Sequence, residues 1–138
     1  MACELCETVG GQVLWEDDYC RAVWAYTQDH PGVCRVVWDK HVKEMADLRP
    51  KERDRIMRVV FAVERALIQV LEPEKINLAS LGNVVPHIHW HIVPRFRDDP
   101  HFPNPVWGAR MRDSTHTLAG DFAMRMREAL DQLLSGKR

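Results

Sequence analysis

The chain has 138 residues, 46% hydrophobic and 28% charged, which excludes a disordered tail, a collagen-like rod or a low-complexity scaffold and predicts one globular domain over residues 1–138. Nineteen Lys and Arg against twenty Asp and Glu leave a formal charge of -1, so no global basic field favours nucleic acid as a partner. No stretch approaches the ~20 apolar residues of a membrane span, and the acidic N-terminus predicts no secretory signal, hence a cytoplasmic address without membrane contact.

The first motif is Cys3-Glu4-Leu5-Cys6. In a chain expected to keep its cysteines reduced, Cys-x-x-Cys reads as metal or redox chemistry, while Cys20 and Cys34 lie in apolar segments and read as inert core thiols. Residues 12–17 and 21–26, rich in Val, Leu, Trp and Tyr and separated at Asp17-Asp18, predict a hairpin. His30-Pro31-Gly32 signals a turn, and the β-branched run 33–39 predicts a third strand. From Pro50 to Leu71 the apolar positions Ile56, Val59, Val60, Val63, Leu67, Val70 and Leu71 keep the 3-4 spacing of one helical face, with Pro50 suited to the first turn and Pro73 helping to end it. Two more strands are predicted over 75–81 and 87–95, broken by Gly82-Asn83 and Pro86. Residues 98–112 read as loop, with Pro100, Pro103, Pro105 and Gly108. A second helix is predicted over about 117–134, with Phe122, Met126, Ala129, Leu130 and Leu133 on one side. Strands in succession with segregated helices argue for an α+β fold with a mostly antiparallel sheet.

Three of the seven histidines fall within five residues, His87-Ile88-His89-Trp90-His91. On a strand, alternate side chains share a face and repeat about every 6.6 to 6.8 Å, so the three imidazoles form a row while Ile88, Trp90 and Ile92 enter the core. Such a row supports metal binding, general acid or base chemistry, or nucleophilic attack on phosphorus. The bland alternative, exposed polar positions on a two-faced strand, fits one or two histidines better than three in register.

The run HIHWHIV at residues 87–93, continuing into PRF, resembles the histidine triad (HIT) family motif, His-φ-His-φ-His-φ-φ with φ apolar. The resemblance extends over roughly residues 3–97 and includes the Cys-x-x-Cys, the hairpin, Pro31-Gly32 with its strand, Lys40-His41 and the long helix. It implies a HIT-like fold of about five strands, one long helix and a C-terminal helix. It also implies a small-molecule nucleotide partner, a homodimer, and His89 as the nucleophile attacking an α-phosphorus. His91 is then the partner for phosphate and leaving group, and Asn77, Gly82 and Asn83 stand where the family's phosphate loop falls. Cys3, Cys6, His41 and His87 are implied as a structural zinc site, the alternatives being an unmetallated pair or a thioredoxin-like redox pair. A third reading has all three triad histidines holding a catalytic metal.

The sequence departs from the family pattern at three places. Val33 stands where many members carry a further histidine that orients the nucleophile, a role open to His30 or His41. Ala25 falls where an acid usually grips the ribose, a role open to Asp29 after a shift. The loop before the triad reads NLASLGNVVP in place of the family's usual Asn-x-Gly followed by Gly-Gln. These departures make a non-catalytic nucleotide-binding module the rival to an enzyme. Among Arg95, Arg97, Arg110 and Arg112, Arg95 is the candidate phosphate clamp, and Trp107 is a candidate to cover a base, close a dimer or pack into the core.

Overall fold

Alternation along five short strands builds a two-faced sheet. In the computed structural model, which describes residues 2–114 and 116–135, β1 (Gln12–Glu16), β2 (Cys20–Trp24), β3 (Cys34–Trp38), β4 (Lys75–Ala79) and β5 (His89–Arg95) lie in the order β1-β2-β3-β5-β4. All neighbours are antiparallel. Three helices, α1 (Glu4–Glu7), α2 (Pro50–Leu71) and α3 (Phe122–Leu134), complete the α+β fold.

One sheet face is apolar and carries the helices. Cys20, Ala22, Cys34, Val36, Ile76 and Ile92 pack with Ile56, Val59, Val63 and Leu67 of α2 and with Phe122, Met126 and Leu130 of α3 in one cluster. Truncating a buried leucine such as Leu67 to alanine in such a core costs about 2–5 kcal/mol. Cys20 and Cys34 are fully buried there, and burial pushes both thiols well above the ordinary range, which keeps them unreactive. Helix α2 has the bounds its sequence predicts. Pro50 opens it, the Glu52 carboxylate accepts the Arg49 backbone N–H at 2.8 Å, and Glu72 ends it in the left-handed region at φ 48°.

Four local expectations are corrected. The run 4–7, read only for its cysteines, is a short helix. Strand β5 begins at His89 and not at His87, because the Ile88 N–H leaves for the Val42 carbonyl at 2.8 Å and the His87 N–H for the Val85 carbonyl at 2.8 Å. Helix α3 begins five residues later than periodicity suggests, since Gly120 disfavours helix and Asp121 takes the N-terminal flanking position. Its buried face ends on Leu134, leaving Leu133 exposed.

The opposite sheet face is covered at its two ends by irregular chain. At one end the N-terminal segment is tied down by Arg21, which donates to the carbonyls of Leu5 (2.8 Å), Thr8 (3.1 Å) and Val9 (2.9 Å) and pairs with Asp39. At the other end the 98–112 segment lies over the sheet, with Val106 against Ala25, Val33 and Val93. The histidine row runs between these two covers.

Candidate active site and metal centre

His89 and His91 stand side by side on the helix-free face of β5, ring centroids 5.0 Å apart and planes at 77°. His89 Nδ1 lies 2.6 Å from the His87 carbonyl oxygen. A carbonyl only accepts, so Nδ1 carries the proton and Nε2 keeps its lone pair. Main chain therefore does the orienting that the sequence left open to His30 or His41. Neither fills it: His30 Nε2 pairs with His101 Nδ1 at 2.9 Å, and His41 turns toward the cysteines. The Ser80 hydroxyl donates to the His89 carbonyl at 3.0 Å and steadies the same stretch of backbone.

His91 is mostly buried, and its pKa is pushed down to about 4 by burial first, then by His89 and by Arg35. It is neutral at pH 7. The indole of Trp107 meets its ring edge-on, centroids 5.5 Å apart, while remaining 56% exposed. Trp107 is thus no core residue; it stands over the histidine row.

The remaining sequence candidates divide. Gly82, at φ +74°, lines a cleft with Ser80, Leu81, His87 and His89, so its turn does reach the triad. Asn83 is exposed beside it. Arg95 is buried and occupied: its guanidinium makes two bonds to Asp99 (2.8 and 3.1 Å), one to Asn77 Oδ1 (2.9 Å) and one to the Asn104 carbonyl (2.7 Å). Asn77 and Arg95 therefore share a network that pins the 98–112 cover. Burial alone would raise the Asp99 carboxyl, but Arg95 and the backbone N–H groups of Phe96, His101 and Phe102 outweigh it and hold the acid far below the usual range. Asp29 is paired with Arg110 at 3.0 Å.

Sequence reasoning passed over Arg35. It stands directly opposite His91 in the β3–β5 register, a relation that only the pairing of two distant strands reveals.

The first triad histidine belongs to a different cluster. His87 Nε2 donates to the Trp38 carbonyl, which leaves Nδ1 as the free lone pair. That atom lies 3.4 Å from Cys3 Sγ and 3.5 Å from Cys6 Sγ, and Cys6 Sγ lies 3.4 Å from His41 Nδ1. The four ligand atoms all fall within 4.8 Å of one another. Zinc bonds of about 2.3 Å to sulfur and 2.0–2.1 Å to nitrogen, disposed tetrahedrally, require S···N separations of about 3.5 Å, so the donor set fits zinc in both chemistry and spacing. With His87 turned this way, the three triad histidines do not converge on one ion.

The HIT domain profile matches residues 8–98. Among curated proteins, the AP-4-A phosphorylase of Mycobacterium tuberculosis is 28% identical over 105 residues, covering 68% of this chain and 54% of that protein. The asymmetrical bis(5'-nucleosyl)-tetraphosphatase of Schizosaccharomyces pombe is 28% identical over 96 residues, covering 66% and 53%. The chain thus spans about half the length of the curated relatives it matches. Among solved structures, a histidine triad protein of Bradyrhizobium japonicum superposes with a TM-score of 0.72 at 26% identity, covering 96% of this chain and 95% of that one. A zinc-bound histidine triad family protein of Mycobacterium smegmatis superposes with a TM-score of 0.68 at 22% identity, covering 96% of each chain. The histidine row, the antiparallel sheet that presents it and the profile match agree: this chain belongs to the HIT family.

Proposed function

We propose that the protein is a nucleotide hydrolase or nucleotidyl transferase that cleaves adenosine nucleotides at the α-phosphate, with dinucleoside polyphosphates or AMP-amine conjugates as the substrate class. The observation that carries this reading is the orientation of His89, whose Nδ1 contact with the His87 carbonyl leaves the lone pair on Nε2, beside a neutral His91. Nε2 attacks the α-phosphorus, a P–N bond forms, and the bond to the leaving group breaks with its electron pair departing on that group, an amine leaving group taking up a proton from solvent as it departs. Water or another acceptor then attacks the same phosphorus, the P–N bond breaks, and its electrons return to Nε2. The acceptor's proton leaves to solvent. His91 donates a hydrogen bond to the phosphoryl oxygens or leaving group as charge develops there. The Gly82 turn, with Asn83 beside it, supplies backbone to the phosphates, and Asn77 with Arg95 holds the cover that carries Trp107.

Cys3, Cys6, His41 and His87 would hold a structural zinc ion, which fastens the N-terminal segment to the sheet. Two chains would pair through α2 and the β4 edge. The four free cysteines fit a reducing, cytoplasmic setting.

The test is turnover of diadenosine tetraphosphate and of an adenosine phosphoramidate by wild type and His89→Ala, with mass spectrometry of quenched protein. Wild type should cleave at least one and show an acid-labile AMP adduct, and His89→Ala should lose about 10³-fold or more in kcat while still binding AMP. A His89→Ala variant with the wild-type rate overturns the nucleophile. One specific observation favours the binding-module alternative: Ala25 and Val33 are buried with Val93, against the partly buried Val106, and their side chains bring no polar group to the site. Wild type that binds AMP and cleaves neither substrate would select that alternative.

A further inference from the structure

Three arginines project from the sheet face that carries the histidine row, and two of them are fully engaged. Arg21 pairs with Asp39 and holds the N-terminal segment through backbone carbonyls, and Arg95 holds the 98–112 cover through Asp99 and the Asn104 carbonyl. Arg35 differs. Its only hydrogen bond among the described residues is a long one, Nη1 to the Gly10 carbonyl at 3.4 Å, and no carboxylate among them lies within ion-pair distance. Its Nε is buried and has no partner. A buried guanidinium donor without an acceptor is costly and is the group an incoming anion would satisfy.

Its position says which anion. Arg35 faces His91 across the β3–β5 pairing, and its charge already bears on that imidazole. Arg35 also lines a groove with Gly10, Gly11, Trp24, Ala25 and Tyr26. Arg35 thus borders both the histidine row and this groove, where its charge suits an anion that extends beyond the α-phosphate, whereas a small neutral leaving group brings no charge for it to meet.

We propose that Arg35 is a phosphate-binding residue for the leaving group, gripping the phosphates beyond the α-phosphate and so selecting dinucleoside polyphosphates over AMP-amine conjugates. The proposal rests on the nucleotide-cleaving function above and deepens it. As the α-phosphate bond breaks, its electron pair moves onto the departing polyphosphate, and the fork of N–H donors on Arg35 stabilises that growing charge through paired hydrogen bonds. A departing amine gains nothing from the guanidinium, and when protonated it meets a like charge.

The experiment compares wild type, Arg35→Leu and Arg35→Lys on diadenosine tetraphosphate and on adenosine phosphoramidate, with thermal melts of each protein. Arg35→Leu should lower kcat/KM for the tetraphosphate by about 10²-fold and change it for the phosphoramidate by less than about threefold, with Arg35→Lys recovering part of the loss because it keeps the charge without the fork. Equal losses on both substrates, or no loss on either, overturn the proposal, and so does a tetraphosphate loss that Arg35→Lys does not reduce. Should wild type cleave neither substrate, the functional reading falls, and Arg35 is judged by calorimetry. Arg35→Leu should then weaken binding of the tetraphosphate about tenfold more than binding of AMP, and equal weakening overturns the proposal.

Discussion

The side chains that matter most on the histidine face differ in whether their polar atoms are already engaged. Arg95 stood out in the sequence because it follows the triad directly, yet the fold uses it internally, since Asp99 four residues later turns back under it in a loop that periodicity does not describe. Arg35 was hidden because its relevance depends on the register between β3 and β5, which are more than fifty residues apart. The role of Asp99 predicts a large effect. Asp99→Ala leaves Arg95 buried without its carboxylate partner and strips the acceptor from three backbone N–H groups, so it should destabilise the protein by about 3–5 kcal/mol in urea titrations. His91 predicts a pH dependence. Its pKa is about 4 in the folded protein and about 6.5 when unfolded, so between these values the unfolded chain binds more protons and stability falls as pH falls. Wild type should lose more stability between pH 7 and pH 5 than His91→Gln, and urea midpoints at the two pH values measure the difference. Equal losses would contradict the burial of His91 as a neutral ring.

At the scale of elements, legibility follows how local the cause is. Helix α2 could be read to its ends because its apolar face, its opening proline and its stop are all written within its own residues. The start of β5 could not, because the Ile88 N–H bonds the Val42 carbonyl while only its carbonyl still accepts from Trp38 of β3, and His87 before it turns toward the cysteines. That detour splits the histidine row into the neighbouring pair His89 and His91 and a single ring, His87, beside Cys3 and Cys6. Helix α1 shows the consequence. Its four residues are far below the ~12–15 that an isolated helix needs, so Leu5, the Arg21 contacts and the Cys/His cluster must hold it. Protein purified without added metal should contain about one zinc per chain, and Cys3→Ser should lower both the zinc content and the melting temperature. Strong chelation should likewise lower the melting temperature and speed proteolysis near residue 10. A metal-free protein whose melting is unchanged by chelation would remove the zinc site.

For the whole molecule, the two outer strands of the sheet have different neighbours. The outer strand β1 lies against α3, and Arg127 reaches across to donate to the Val13 carbonyl at 2.9 Å, so side-chain donors already occupy part of that margin. Strand β4 borders the other side of the sheet, next to β5 alone. Glu64 of α2 lines one cleft with β4, and Phe61 and Ile68, about a turn to either side of it on the helix, are exposed large apolar side chains, as are Leu81 and Val84 in the turn after β4. Lys75 Nζ donates to the Ile76 carbonyl of this strand, yet an outer strand with exposed apolar side chains nearby invites pairing with a second copy, and a two-fold arrangement lets the same strand and helix serve both partners. The chain should therefore sediment at micromolar concentration with twice the 16.1 kDa mass of one copy. Phe61→Glu combined with Ile68→Glu should shift it to the monomer, because each subunit would bring charge into an apolar contact with no partner for it. Arg127→Ala, at the opposite margin, should leave the dimer intact. Wild type sedimenting as a monomer would reject this assembly, and a dimer that survives the double substitution would move the interface away from α2.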